Sequence, residues 1–141
     1  MTITPSETAL EAADVTKRYG AVRALEGVSM RVPRGSCTAL VGESGSGKTT
    51  LLRTFNRMVD PDAGVVRVAG EDVRRADPVR LRRSLGYVQQ EGGLLPHWTI
   101  LRNAALVPWL QERADAEDRA RSALDLVGLP SSLYGRYPRE L

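Results

Sequence analysis

The chain has 141 residues, 42% hydrophobic and 26% charged, and its 20 Lys and Arg against 17 Asp and Glu leave a net charge of only +3. That length is enough to bury a core, and so weak a charge bias argues against a dedicated nucleic-acid binder. No run of about 18 apolar residues exists to span a bilayer, residues 1–14 lack the basic start and apolar stretch of a secretory leader, and one cysteine excludes an intrachain disulfide.

In chain order, the first clear element is a strand in which Val28, Met30 and Val32 alternate with Ser29 and Arg31, the period of a half-buried sheet. "PRGS" at 33–36 turns the chain into "CTALV", a continuous apolar run that predicts a fully buried strand with Cys37 inside it. A glycine loop follows, and then Leu51, Leu52, Phe55, Met58 and Val59 recur at helical spacing. "DPDAG" at 60–64 ends that helix, and "VVRVAGEDV" predicts a hairpin turning near Gly70. Asp77 before Pro78 is a helix start, leading through "PVRLRRSL" to "GYVQQ", a predicted strand. From Thr99 onward the pattern is helical, with Ala116, Ala120, Ala123, Leu124 and Val127 on one face of a helix ending at Gly128. Strands therefore dominate before about residue 90 and helices after it.

The glycine loop carries the chemistry. Gly42, Gly47, Lys48 and Thr49 satisfy G-x-x-x-x-G-K-[ST], in the strand–loop–helix context that the phosphate-binding loop requires. A triphosphate needs several donors converging on its oxygens, and the successive amides of Gly42, Glu43, Ser44, Gly45, Ser46, Gly47, Lys48, Thr49 and Thr50 can supply them. Glycines at 42, 45 and 47 allow close approach, Lys48 would reach the β- and γ-phosphates, and the Thr49 hydroxyl would ligate Mg²⁺. The expected ligands are a nucleoside triphosphate and Mg²⁺. His97 is the only histidine, and no His/Cys cluster for zinc or serine–histidine pair for acyl chemistry is present.

The stretch "VTKRYGAVRALEGVSMRVPRGSCTALVGESGSGKTTLLRTFNRMVDPDAGVVRVAGEDV" closely resembles the opening of the ATP-binding subunit of ABC transporters, and the resemblance runs from about Leu10 to Leu141. It implies an α/β fold of the P-loop NTPase, ABC nucleotide-binding type: an antiparallel β subdomain with part of a RecA-like core over 1–91, and the beginning of a helical subdomain over 92–141. It further implies that Tyr19 stacks on adenine and that Gln90, in "LGYVQQEGGLLPHWTI", touches Mg²⁺ and the attacking water, with Gln89 at the variable position before it. Leu94, Leu95, Pro96, His97 and Trp98 become candidates for contact with a membrane subunit. His97 does not match the family's switch histidine and is read as a structural or interface residue. Nucleotide kinases share the phosphate loop without the pairing of Tyr19 and Gln90.

"FNRMVDPDAG", "DPVRLRR", "LLPHWTI" and "NAALVPWL" resemble the branch that takes up quaternary amines such as glycine betaine, choline or proline betaine; amino-acid or lipoprotein transport is the competing assignment. The implied partners are a membrane permease subunit, a solute-binding protein and a second ATP-binding subunit in a homodimer or pseudo-dimer, at the cytoplasmic face of the membrane, with no nucleic acid. Leu141 matches only the first residue of the family's signature L-S-G-G-Q, and the Walker B aspartate, catalytic glutamate and switch histidine are expected further on. The chain is thus expected to be the N-terminal part of such an ATPase, binding ATP without turning it over by itself. The alternative reading is a non-hydrolysing nucleotide-binding fragment.

Overall fold

The computed structural model describes residues 7–89 and 92–141. They form two compact units, one ending at Gly86 and the other beginning at Tyr87.

The first unit is a four-stranded sheet with two helices. Strands β1 (Thr8–Tyr19), β2 (Val22–Pro33), β3 (Ala63–Val68) and β4 (Glu71–Asp72) lie in the order β2-β1-β3-β4, every pairing antiparallel. β1 and β2 are joined through Gly20 and Ala21, and Tyr19 pairs with Val22 across the turn. Val28, Met30 and Val32 are half-buried while Ser29 and Arg31 face solvent, as the alternation predicts. The β3–β4 hairpin turns at Ala69 and Gly70, both at positive φ (51° and 86°), the backbone that a tight two-residue turn requires.

Helix α1 (Lys48–Phe55) buries Leu51, Thr54 and Phe55 against Ala12, Val15, Leu25 and Val66. Each large apolar side chain so buried contributes about 1.5–3 kcal/mol. The helix stops at Phe55, short of the predicted end: Asn56 turns out of helical geometry, Arg57 takes φ 53°, and Met58 is half exposed. Helix α2 (Pro78–Ser84) begins as its sequence predicts, with Asp77 Oδ1 accepting from the Arg80 amide at 2.8 Å and Pro78 in the first turn. Its Leu81 joins the same core.

Two expected strands do not form. Residues 36–43 and 85–89 carry no strand ladder, and Cys37, expected inside a buried strand, is exposed. Val41 and Val88 are 93% and 96% exposed. A short segment of this kind becomes a buried strand only where neighbouring strands pair with it on both edges. Among the described residues every strand pair is antiparallel, so neither run has a partner.

The second unit packs helix α3 (Ile100–Leu110) on helix α4 (Ala116–Leu126). Thr99 caps α3 by accepting from the Arg102 amide, and the Ile100 and Leu101 amides donate to the carbonyls of Arg136 and Tyr134 at 2.9 and 3.0 Å. These bonds tie the C-terminal turns to the start of α3. Ala120 and Tyr134 are buried, and the Tyr134 hydroxyl donates to the Asp125 carboxylate on α4, which holds that phenol above its ordinary pKa. Gly128 takes φ 74° just after α4, but Ala123 and Val127 of the predicted apolar face are exposed.

Candidate functional site

In the first unit, residues 42–47 loop into the start of α1. Gly47 is the cap residue at φ 88°, and a Cβ there would collide with the Ala24 carbonyl oxygen on β2. Glycine is therefore what lets the loop lie against the sheet. No side chain caps the first turn of α1, so the amides at its start remain available to an outside acceptor. Their alignment with the helix dipole favours an anion.

Lys48 is half-buried and folds back over the loop. Its Nζ donates to the Gly42 carbonyl at 2.9 Å, the Glu43 carbonyl at 2.6 Å and Ser46 Oγ at 3.1 Å. All three acceptors are neutral oxygens, so the ammonium is solvated by the loop without being neutralised. Glu43, Ser44, Gly45 and Thr49 are exposed and Thr50 is half-buried. The arrangement has the donors an oxyanion needs, an uncompensated positive charge, and an accessible hydroxyl beside them. A polyphosphate fits it. Among the described residues no group of three or more His, Cys, Asp or Glu is placed to hold a metal ion.

Tyr19 ends β1 with half its surface exposed, and the Lys17 ammonium lies 5.6 Å from its ring centroid. Its register partner Val22 stands two residues before Ala24, the residue against which Gly47 packs. At about 3.3 Å per strand residue, that brings the β1–β2 turn to the neighbourhood of the loop. Gln90 lies outside the described residues; Gln89 is described and exposed.

Two polar residues that the sequence did not single out organise these surfaces. Asp62, within the turn "DPDAG", accepts from Lys17 Nζ and from the Arg18 amide, each at 2.8 Å. Hydrogen bonding from Lys17, then from the Arg18 amide, holds its carboxyl below the usual range. In the second unit, Asn103 on α3 donates through Nδ2 to the carbonyls of Leu95, Trp98 and Thr99 at 3.1, 3.1 and 3.0 Å, and accepts from the Leu95 amide at 2.7 Å. One amide thus fixes the loop that carries Leu94 through Trp98. A polar residue of poor helix propensity inside an apolar helical run was the available signal for it. Leu94, Pro96 and His97 are exposed, Leu95 and Trp98 half-buried, and the Arg102 guanidinium lies 4.3 Å from the Trp98 ring centroid.

Residues 25–141 match the family model described as ABC transporter. The chain is 42% identical over 134 residues to the glycine betaine uptake system ATP-binding protein YehX of Escherichia coli, covering 94% of this chain and 44% of that protein. It is 44% identical over 135 residues to the sulfate/thiosulfate import ATP-binding protein CysA of Mycobacterium tuberculosis, covering 94% and 38%. ATP-binding proteins of carnitine and choline transport match at 40% identity. Among solved structures, the dimeric post-hydrolysis state of the ATP-binding cassette MJ0796 bound to ADP and Pi aligns with a TM-score of 0.83 at 27% identity, covering 94% of this chain and 62% of that one. The chain spans less than half the length of these curated relatives.

Proposed function

The chain belongs to the ABC transporter family, with the fold of its ATP-binding cassette, and on that premise we propose that it binds ATP as part of the energy-coupling subunit of an importer. One observation carries this reading: the Lys48 ammonium, bonded only to neutral oxygens, at the start of a helix that no side chain caps. The loop amides of 42–50 and Lys48 hold the phosphates, and Tyr19 stacks on the base. Thr49 and Gln90 are the residues that would hold Mg²⁺. This ion would arrive with the nucleotide, since it is commonly bound through one or two protein ligands plus substrate phosphates. It supplies charge neutralisation between the phosphates.

Residues 1–91 act as the β subdomain and phosphate-loop part of the core, and 92–141 as the beginning of the helical subdomain. The exposed Leu94, Pro96 and His97, on the loop fixed by Asn103, face a membrane permease subunit. No helix among the described residues is long and apolar enough to cross a membrane, which suits a subunit bound peripherally at the cytoplasmic face. In the whole protein, two such subunits pair and hydrolyse ATP to drive uptake with a solute-binding protein. The solute class is a quaternary amine, on the residues shared with that branch and the betaine, carnitine and choline relatives. The 44% match to a sulfate/thiosulfate importer favours a second reading, in which identity here tracks the cassette and another solute is carried.

The test is titration calorimetry with Mg-ATP and Mg-GTP. Tyr19→Ala should weaken both while Tyr19→Trp preserves them, because stacking needs a π-face more than a hydroxyl. Affinity unchanged by Tyr19→Ala, together with a lowered melting temperature, makes the tyrosine structural.

A further inference from the structure

We propose that Asp62 is a positioning residue for the nucleotide base, holding the end of β1 and, through Lys17, the ring of Tyr19. The inference rests on the reading of Tyr19 as the stacking residue.

β1 is paired on both sides only as far as Thr16, whose partner on β3 is Ala63. Beyond that point Lys17, Arg18 and Tyr19 are paired with β2 alone, at Leu25, Arg23 and Val22. A strand tip with one free edge would be left to twist. Asp62 takes the place of the missing neighbour. Its amide donates to the Thr16 carbonyl at 2.9 Å, its Oδ2 accepts from the Arg18 amide at 2.8 Å, and its Oδ1 accepts from Lys17 Nζ at 2.8 Å. One residue thereby fixes three consecutive residues immediately before Tyr19.

The chain can approach this closely because Gly64 follows: a Cβ there would meet the carbonyls of Ala13 and Asp14. The Lys17 side chain is only 18% exposed, and its charge, paired with Asp62, sits against the Tyr19 ring. A cation over the ring is attracted to the π-system and helps fix the ring plane, while half of the tyrosine's surface stays exposed. A partly exposed ion pair adds little to fold stability, so the effect of this clamp falls on the strand tip.

The experiment compares Mg-ATP with Mg-tripolyphosphate, which occupies the phosphate loop but has no base to stack. Titrations use the wild-type chain, Asp62→Ala, Lys17→Met, Tyr19→Ala and the Asp62→Ala/Tyr19→Ala double variant. Asp62→Ala should weaken ATP by about three- to tenfold, less than full loss of stacking, and leave tripolyphosphate unchanged within about twofold. Lys17→Met should act in the same direction, and it keeps the test open if Asp62→Ala folds poorly. In the double variant, Asp62→Ala should add nothing to Tyr19→Ala. Equal losses for both ligands, or additive losses in the double variant, overturn the proposal. ATP binding unaffected by Asp62→Ala and by Lys17→Met also overturns it while leaving the proposed function intact. A wild-type chain that binds tripolyphosphate and ATP equally well removes the stacking role of Tyr19, and this inference with it.

Discussion

The carbonyl oxygen of Ala24 on β2 fills the space that a side chain on Gly47 would need, and Leu25 Cδ2 lies 3.1 Å from the same point. The glycine loop is therefore set against the sheet at its last residue, where the backbone already takes φ 88°.

Gly47→Ala should consequently cost more than Gly45→Ala. Both place a side chain in left-handed geometry, at about 1–2 kcal/mol, but nothing lies within 4 Å of a Cβ at Gly45 (φ 81°). The overlap with Ala24 adds to the Gly47 penalty and displaces the loop. Paired thermal melts and ATP titrations check this: Gly47→Ala should lose both stability and affinity, and equal effects of the two substitutions would remove the close-approach explanation.

Lys48→Ala should weaken Mg-ATP binding by about 10- to 150-fold, the equivalent of one charge-assisted contact worth roughly 1.5–3 kcal/mol. Its present acceptors are neutral carbonyl and hydroxyl oxygens, which water can satisfy at this exposed loop. The melting temperature should therefore move little. Calorimetry showing unchanged affinity in a folded variant would contradict the phosphate assignment.

Asp77→Ala should destabilise the first unit by about 0.5–2 kcal/mol, because the Arg80 amide loses its acceptor at the start of α2. Asp77→Ser retains an acceptor and should recover most of the loss. Denaturant melts of the pair decide it, with hydrogen exchange at the Arg80 amide as the local readout.

The second unit should show an acid limb traceable to Asp115. Hydrogen bonds from Arg113 and then Arg119 hold its carboxyl at about 2, below its ordinary 3.8. A depressed folded-state value means the contribution is complete above about 3.8 and is lost as pH falls from there toward about 2. The wild type should exceed Asp115→Asn in stability at neutral pH, and the two should converge toward about pH 2. Melts across that range test the sign, and parallel curves would exclude it.

What could be read in advance followed short-range rules. The β2 alternation, the turn at Gly70, the Asp77–Pro78 helix start and the glycine loop leading into α1 each depend on neighbours within a few residues. The run at 37–41 and the stretch at 86–89 depend on partners, and their apolar content reports a preference for burial without supplying the strands that satisfy it. Cys37 was misplaced for that reason. Asp62 and Asn103 escaped notice because a carboxylate in a turn and an amide in a helix look like ordinary surface residues. Only the bonds from Asp62 to residues 16–18, and from Asn103 back to Leu95, reveal what they hold.

The Asn103 amide has a chemical polarity that makes the loop before α3 sensitive to a single-atom exchange. Three carbonyl oxygens converge on its Nδ2, and only the Leu95 amide approaches its Oδ1. Asparagine to aspartate conserves shape and volume yet sets a carboxylate oxygen against all three carbonyls, turning three attractions into three repulsions. Direct hydrolysis of that side-chain amide to aspartate would make the same exchange and leave only the Leu95 amide bond, with no change in chain length and almost none in mass.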